Sequence, residues 1–298
     1  MEPRVKFGAD GPLLAGGLAL ALGSGGARGF AHIGVLQVLE EQGIRPLMLA
    51  GSSVGAVIGG LWAAGYSASE IETIATSTTN RELFQTFMDP PWPLPTLDPF
   101  EERLRTMFAA KGLERIEDFP IPFVAVSADL VSGETVTITG GDPALAVRAS
   151  GSLPGIFGPL ALEGRQLVDG VFGEPVPWQT ALEFGADSVF AVDVSFDSSR
   201  LQPLNWLYRA LESDLMTRLA PPPTPKKVSW FSSIQRSFLM SQQAWGNRYQ
   251  LPEQVHYLRV DSPVSWFNFR SAQEPIALGR ELATRALLDW DSPMASRA

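Results

Sequence analysis

The first 65 residues alternate between short apolar runs, glycine-rich turns and segments with helical spacing. Gly17 to Leu22 is a continuous apolar run, typical of a buried strand in a parallel sheet. A glycine-rich turn, Gly23 to Gly29, follows it, and Phe30 to Gln42 then carries apolar residues at helical spacing. Leu47 to Ala50 predicts a second strand, and Val54 to Ala64 predicts a second helix. This order indicates a parallel sheet covered by helices.

Similar runs extend the α/β pattern along the chain. Further strands are predicted at Phe123–Asp129, Thr135–Thr139, Val189–Val194 and Val255–Val260, and further helices at Trp178–Phe184 and Glu274–Trp290. Residues 67–119 are predicted to be mostly helical, with a break at the proline run 89–95, a candidate lid or rim loop. A second proline run, 219–227, predicts a loop or linker. Because a strand follows it, we expect one domain, with a core at 17–195 and residues 196–298 as its C-terminal part.

Composition narrows the classes of function. The chain has 298 residues, of which 45% are hydrophobic and 18% charged, which is ordinary for a folded domain with a sizeable core. Its net charge of -9 would repel nucleic acid, so we expect no nucleic-acid partner. The absence of cysteine excludes disulfides, thiolate zinc sites and a cysteine nucleophile. No Asp-x-Asp-x-Asp-Gly calcium loop occurs, and we expect no metal site.

The apolar segment Leu13 to Leu22 resembles the core of a signal peptide. Pro12 and the glycines interrupt it, and its end leads directly into a glycine loop, so a buried strand explains it better. No stretch reaches the roughly 18 apolar residues of a membrane span. We therefore expect a cytoplasmic protein. An aromatic rim of Trp92, Trp230-Phe231 and Trp266-Phe267 would allow peripheral membrane contact, although burial in the core explains these side chains equally simply.

Gly51-Ser52-Ser53-Val54-Gly55 matches the pattern G-x-S-x-G between a predicted strand and a predicted helix. In such a nucleophile elbow the serine occupies a strained turn, and tiny neighbours let the backbone bend and the substrate approach. The positive end of the following helix favours developing negative charge. The pattern makes Ser53 a candidate nucleophile, with a simple helix cap as the alternative.

The glycine loop Gly23 to Gly29 also lies between a strand and a helix. It lacks the strict G-x-G-x-x-G of a dinucleotide site, and no Gly-Lys-Ser/Thr follows for a phosphate loop. Consecutive amides at Gly25 and Gly26 could form an oxyanion hole. Arg28 could steady the loop or attract an anionic head group. The residues by themselves leave an oxyanion hole, a phosphate site and a structural turn open.

Three segments taken together resemble the patatin-like phospholipases. They are the glycine loop with Arg28-Gly29, the elbow around Ser53, and Asp169-Gly170, which resembles the family's Asp-Gly motif. Residues 149–155 also resemble the family's segment before that aspartate. Alone, an aspartate before glycine is more often a turn residue. The resemblance extends from about Gly17 to about Ser195.

The resemblance implies a three-layer α/β/α sandwich with a mostly parallel central sheet, and a serine acyl-ester hydrolase that acts on lipid esters without a cofactor. It implies a Ser–Asp dyad, in which Ser53 attacks the carbonyl and Asp169 accepts its proton, while the amides of Gly25 and Gly26 hold the oxyanion. Apolar neighbours would raise the proton affinity of Asp169. The chain departs from the family at Ser24 and Val171, where many members have glycine or, at the second position, alanine.

A Ser-His-Asp triad is the main enzymatic alternative, and the chain has only His32 and His256 to supply it. The order Ser53, then Asp193 or Asp169, then His256 agrees with that of the α/β-hydrolases. However, His256 lies within a predicted strand, whereas triad histidines usually follow one. His32 lies in the first helix and is expected to be a packing or helix-capping group. The non-enzymatic alternative is a nucleotide- or phosphate-binding protein that uses the glycine loop. No sequence feature indicates an oligomeric state.

Overall fold

A computed structural model describes residues 5–8, 16–77, 98–154, 157–195, 251–264, 266 and 268–288. The predicted rim loop at 89–95 and the proline-rich segment at 219–227 lie outside this part of the chain. The same is true of Trp92, Trp230, Phe231 and Phe267.

The described residues form a single sheet with helices on its faces. The strands are β1 (Val5–Phe7), β2 (Leu18–Leu22), β3 (Met48–Ser52), β4 (Phe123–Asp129), β5 (Thr135–Gly141), β6 (Leu160–Leu162), β7 (Arg165–Asp169), β8 (Ser188–Asp193) and β9 (Val255–Arg259). The helices are α1 (Ala31–Glu41), α2 (Val54–Ala63), α3 (Ala68–Thr76), α4 (Asp98–Ala110), α5 (Pro143–Ser150), α6 (Trp178–Glu183) and α7 (Gln273–Leu288). Short 3-10 turns span Gly26–Phe30, Ile116–Asp118 and Gly170–Phe172.

The sheet has the strand order β1-β5-β4-β3-β2-β8-β9. Strands β4, β3, β2, β8 and β9 are parallel, whereas β1 and β5 extend the sheet in antiparallel fashion beyond β4. The hairpin β6–β7 joins through β7, which is antiparallel to the end of β4. The carboxyl ends of the parallel strands therefore share one edge, where ligands bind in open α/β sheets.

Two apolar cores lie on opposite faces of the sheet, because neighbouring residues of a strand point in opposite directions. Leu20 and Leu22 of β2 belong to the larger core, to which α1, α2, α3, α4, α5 and α7 contribute. Ala19 and Ala21 of the same strand face the smaller core beneath α6. The small alanine side chains let α6 pack closely, and the layers together form an α/β/α sandwich.

Local sequence explains where several helices begin. Ser67 and Glu70 form a reciprocal capping box at the start of α3. The carboxylate of Asp142 accepts hydrogen bonds from the main-chain N–H groups of Ala144 and Leu145 and so caps α5. This cap fixes the start of α5, whose last residue, Ser150, lies in the candidate site.

The predicted fold class is confirmed, and most predicted elements agree with the structure to within two residues. Four elements were not predicted from the sequence: β1, α5 and the hairpin strands β6 and β7. Strand β3 also extends two residues beyond its predicted end, because Gly51 and Ser52 still belong to it. Strand β9 pairs with β8, so residues 255–259 belong to the same sheet as the N-terminal strands. The predicted division at residue 195 stays a prediction, since 196–250 lie outside the described residues.

Candidate active site

Ser53 occupies a strained turn between β3 and α2. Its φ of 53° and ψ of -122° lie in a region that residues with a side chain rarely adopt. It is the residue immediately before α2, so the helix N-terminus points at it. The side chain is largely buried, with 7% exposure. The predicted nucleophile therefore has the backbone geometry of a nucleophile elbow.

The glycines on either side of Ser53 are required by close backbone contacts. A Cβ at Gly51 would lie 2.6 Å from the Cα of Ala56. A Cβ at Gly55 would lie 2.1 Å from the carbonyl oxygen of Leu22, at the carboxyl end of β2. Both separations are far below van der Waals contact, so a larger residue at Gly51 would push α2 away from β3, and one at Gly55 would push α2 away from β2.

Asp169 reaches Ser53 from the end of β7. Asp169 is paired with Ser127 of β4, and a single strand, β3, separates β4 from β2. The Ser53 hydroxyl donates a hydrogen bond to Asp169 Oδ2, with an oxygen–oxygen distance of 2.8 Å. The other carboxylate oxygen accepts one from the main-chain N–H of Val171 at 2.9 Å. The structure thus brings together the two residues that the sequence separates by 116 positions.

The environment of Asp169 suits a proton acceptor. Burial disfavours the charged carboxylate and raises the pKa of Asp169 to about 7, although hydrogen bonds from Val171 and Ser53 act in the opposite direction. Gly170 allows the burial, because a Cβ there would lie 2.2 Å from the carbonyl oxygen of Val126. Val171, one of the departures from the family pattern, is itself buried and leaves its N–H free to bind the carboxylate. A base with a pKa near neutrality is well matched to proton transfer from a hydroxyl.

Ser150 forms hydrogen bonds with the main chain of the elbow and of β4. Its hydroxyl accepts a hydrogen bond from the main-chain N–H of Ser53 at 2.8 Å and donates one to the carbonyl of Val126 at 2.5 Å. The carbonyl of Ser152 accepts a hydrogen bond from the main-chain N–H of Asp169 at 2.9 Å. Residues 149–155 resemble a family segment, but the sequence alone indicates no role for them. Within the structure this segment contacts both members of the Ser–Asp pair.

The glycine loop lies beside the elbow. A Cβ at Gly29 would be 2.3 Å from Val54 Cγ1, so the loop packs directly on the start of α2. The main-chain N–H groups of Gly23, Ser24 and Ala27 donate to the carbonyls of Val192, Pro175 and Trp266, in that order. In contrast, no hydrogen bond within the described residues uses the N–H of Gly25 or Gly26. These two amides are therefore the ones available to a ligand, as the oxyanion hypothesis requires.

The short segment from Gly170 to Val176 ties the aspartate to the glycine loop. The N–H of Glu174 donates to the Gly170 carbonyl, and the next residue, Pro175, accepts from Ser24. Glu174 is buried and caps α6 by accepting hydrogen bonds from the N–H groups of Gln179 and Thr180. Burial raises its pKa to about 7, against the lowering effect of those bonds. This segment therefore links the position of Asp169 to that of the glycine loop.

Arg28 and His32 anchor the loop from its other side. The side chain of Arg28 is buried, and its Nε donates to the carbonyl of Val264 at 2.8 Å. This contact favours steadying the loop over attracting a head group. His32 is fully buried with Nε2 2.8 Å from the carbonyl of Gly23, and burial lowers its pKa to about 4. His32 is thus neutral at neutral pH and donates to the loop, in agreement with the expected packing role.

The alternative triad of Ser53, Asp193 and His256 is not assembled. His256 pairs with Phe190, whereas Asp193 pairs with Arg259, so Asp193 and His256 point to opposite faces of the sheet. Asp193 instead accepts hydrogen bonds from the Tyr257 hydroxyl at 2.9 Å and the Ser195 N–H at 2.8 Å.

The predicted aromatic rim falls mostly outside the described residues. Trp266 is described, and its ring packs against the glycine loop, where a Cβ at Gly26 would lie 2.6 Å from it. The Trp266 ring therefore covers one side of the glycine loop. No helix in the described ranges is both long and apolar enough to cross a bilayer.

Comparison with known proteins gives a family for this architecture. Residues 20–182 match the family model described as patatin-like phospholipase. An uncharacterized NTE family protein of Mycobacterium tuberculosis is 40% identical over 178 residues, which cover 60% of this chain and 49% of the relative. Lysophospholipase NTE1 of Mycosarcoma maydis is 36% identical over 184 residues, covering 59% of this chain and 10% of the relative. The match spans about half of the mycobacterial protein and a small part of the fungal one.

Among solved structures, VipD from Legionella pneumophila aligns with a TM-score of 0.47 at 14% identity. The alignment covers 96% of this chain and 70% of VipD.

Proposed function

Since the chain belongs to the patatin-like phospholipase family, we propose that it is a serine hydrolase that cleaves lipid acyl esters through a Ser53–Asp169 dyad. The observation that carries this proposal is the 2.8 Å hydrogen bond from the Ser53 hydroxyl to a fully buried carboxylate. A serine that only caps a helix needs no buried acid beside its hydroxyl. The raised pKa of Asp169 adds a chemical reason for the contact.

In the first half of the proposed reaction Ser53 Oγ attacks the ester carbonyl while Asp169 Oδ2 accepts the hydroxyl proton. The carbonyl oxygen becomes an oxyanion, which the N–H groups of Gly25 and Gly26 stabilise. The tetrahedral intermediate then collapses. The bond to the alcohol breaks, and protonated Asp169 returns its proton to the leaving oxygen, so that an acyl-serine remains.

The second half repeats these steps with water. Asp169, now a carboxylate again, accepts a proton from the attacking water, and the same amides stabilise the second oxyanion. Collapse breaks the bond between the acyl carbon and Ser53 Oγ. The serine recovers its proton from Asp169, and the fatty acid leaves. No step requires a metal ion, a histidine or a cofactor.

The proposed substrates are lipid esters of the phospholipid or lysophospholipid class. The family and the fungal relative named lysophospholipase support this choice of class. Such substrates are aggregated, so the protein would contact a membrane or micelle peripherally while it acts.

A fluorophosphonate probe tests the nucleophile. It should label the wild type and not Ser53→Ala, whereas Ser52→Ala is the matched control. The Ser52 hydroxyl is buried without a hydrogen-bond partner among the described residues, so its removal should leave labelling intact. Labelling of Ser53→Ala at the wild-type rate would overturn the assignment.

The same variants, assayed on p-nitrophenyl esters and phospholipids, test the substrate class. Release of fatty acid from phospholipid by the wild type, lost in Ser53→Ala, is expected. The rival proposal, phosphate binding by the free amides of Gly25 and Gly26, predicts no reaction with the probe and no hydrolysis.

A further inference from the structure

Two large aliphatic side chains are strongly exposed at the turn between β4 and β5. Leu130 is 56% exposed and Val131 is 80% exposed. Exposing such side chains costs the hydrophobic free energy that burial would recover. Single exposed aliphatics are common on protein surfaces, but here two adjacent ones occupy the tip of a hairpin.

The backbone holds this tip firmly. The N–H of Leu130 donates to the carbonyl of Gln166 at 2.8 Å, which continues the pairing of β4 with β7. Asp129 closes the turn, because its Oδ1 accepts from the N–H of Val131 at 3.1 Å and its carbonyl accepts from Gly133 at 2.8 Å. The exposure of Leu130 and Val131 is thus a consequence of a hydrogen-bonded hairpin.

The tip projects from the edge of the sheet that carries the Ser–Asp pair. Ser127 of β4 lies opposite Asp169, and the strand then continues outward through Asp129, opposite Leu167. At about 3.3 Å per residue, Leu130 and Val131 lie roughly 10 Å farther out than the dyad along the strand direction. They therefore lie exposed beyond the dyad, at the same edge of the sheet.

We propose that Leu130 and Val131 form a lipid-contact tip that enters the surface of a zwitterionic lipid aggregate and holds it near Ser53. The inference rests on the proposed function, for which the substrate is presented at such a surface. Two side chains are too small for a stable protein interface, which buries roughly 800 Å² on each partner.

The charged residues near the tip indicate which kind of lipid surface it contacts. Glu134 follows the tip and Glu163 lies in the adjacent turn of the β6–β7 hairpin, both exposed. Arg165, at the start of β7, is paired with Asp129 at 3.7 Å. A surface of this composition on a chain with net charge -9 gains nothing from anionic lipid, so apolar insertion into a zwitterionic surface is the contact it supports.

Because the chain has no cysteine, a single cysteine can be labelled at one chosen position. Val131→Cys and the control Leu47→Cys, each in a Ser53→Ala background, would carry an environment-sensitive fluorophore. Leu47 is also exposed, at 49%, but precedes β3 and so lies at the opposite edge of the sheet. Phosphatidylcholine vesicles should shift the emission at position 131 to the blue and leave position 47 unchanged. No shift at 131, or equal shifts at both positions, would overturn the proposal.

A kinetic measurement gives a second readout. In Leu130→Ser/Val131→Ser the ratio of phosphatidylcholine-vesicle hydrolysis to soluble p-nitrophenyl ester hydrolysis should fall about tenfold, through a higher KM for vesicles. Leu47→Ser should keep the wild-type ratio. An unchanged ratio in the double variant would reject the tip. If the wild type hydrolysed neither substrate, the proposed function would fail, while the fluorescence shift would still decide the docking.

Discussion

The hydroxyl of Ser150 accepts a hydrogen bond from the main-chain N–H of Ser53 at 2.8 Å, and so holds the backbone of the residue whose own hydroxyl contacts Asp169. Ser53 has a φ of 53°, a conformation that costs about 1–2 kcal/mol and needs support from its surroundings. The same hydroxyl donates to Val126 on β4. Ser150 thus ties the strained elbow to the strand that also pairs with the segment carrying Asp169.

Replacing Ser150 with alanine should weaken the elbow. The buried N–H of Ser53 and carbonyl of Val126 both lose their partner, which costs about 1–3 kcal/mol of unfolding free energy. We expect kcat on p-nitrophenyl esters to fall about tenfold with little change in KM. Ser152→Ala is the matched control, because its hydroxyl bonds only to the Arg148 carbonyl among the described residues, and its own main chain still binds Asp169. Equal kcat in the two variants would contradict the supporting role.

The pKa of Asp169 predicts how the rate depends on pH. The aspartate must be ionised to accept the Ser53 proton, and burial raises its pKa to about 7. The value of kcat/KM on a neutral ester should therefore rise about tenfold per pH unit below 7 and level off above it. His32, with a pKa lowered to about 4, is neutral throughout this range and should not contribute. A rate that is flat from pH 5 to 8 would be incompatible with Asp169 as the base.

Replacing the carboxylate of Asp169 with a neutral amide should abolish activity without lowering stability. In the native protein Asp169 has a pKa of about 7, against about 3.9 in an unfolded chain. The native state therefore holds a proton that the unfolded state has lost, and stability falls as pH rises from about 4 to about 7. Asp169→Asn avoids this cost and keeps partners for Val171 and Ser53. The variant should be inactive, yet more stable than the wild type at pH 8. The difference in unfolding free energy between variant and wild type should be larger at pH 8 than at pH 5 by on the order of 2 kcal/mol.

Thermal unfolding at the two pH values measures this difference directly. The variant His256→Asn serves as the comparison for activity. It should retain most ester hydrolysis, because His256 lies on the face of the sheet away from Asp193. An active Asp169→Asn beside an inactive His256→Asn would reverse the assignment and favour a histidine base.

Replacing Gly26 with alanine should lower kcat for ester hydrolysis without preventing folding. Its φ is +57°, and an added Cβ would lie 2.4 Å from the Trp266 carbonyl oxygen, so Gly26→Ala must displace the loop. Losing one oxyanion donor lowers kcat by about a hundredfold. Gly43→Ala controls for backbone strain, since Gly43 has a φ of +66° but no atom within 4 Å of an added Cβ. The control should lose about 1 kcal/mol of stability and keep its activity. Similar kcat values for the two variants would argue against the loop as the oxyanion site.

The alternation of strands and helices and the residue types of the elbow could be predicted from the chain alone, because apolar periodicity and small turn residues are local properties. The sequence also supplied Ser53, Asp169, Gly25 and Gly26 as candidates, through their resemblance to an ordered set of family motifs. The hairpin β6–β7 was not predicted, since strands of three and five residues carry little periodic signal, and β7 depends on pairing with the distant strand β4.

Relationships that depend on burial and on distant pairing became evident only in the folded protein. The pKa of Asp169 follows from enclosure by segments far apart in the chain, and no local pattern reports that enclosure. The role of Ser150 required the end of α5 to meet the start of α2. Asp193 and His256 agree with a triad in order along the chain but lie on opposite faces of the sheet, because the register of β8 with β9 sets their directions. Side-chain direction across a sheet is a property of pairing, which chain order does not contain.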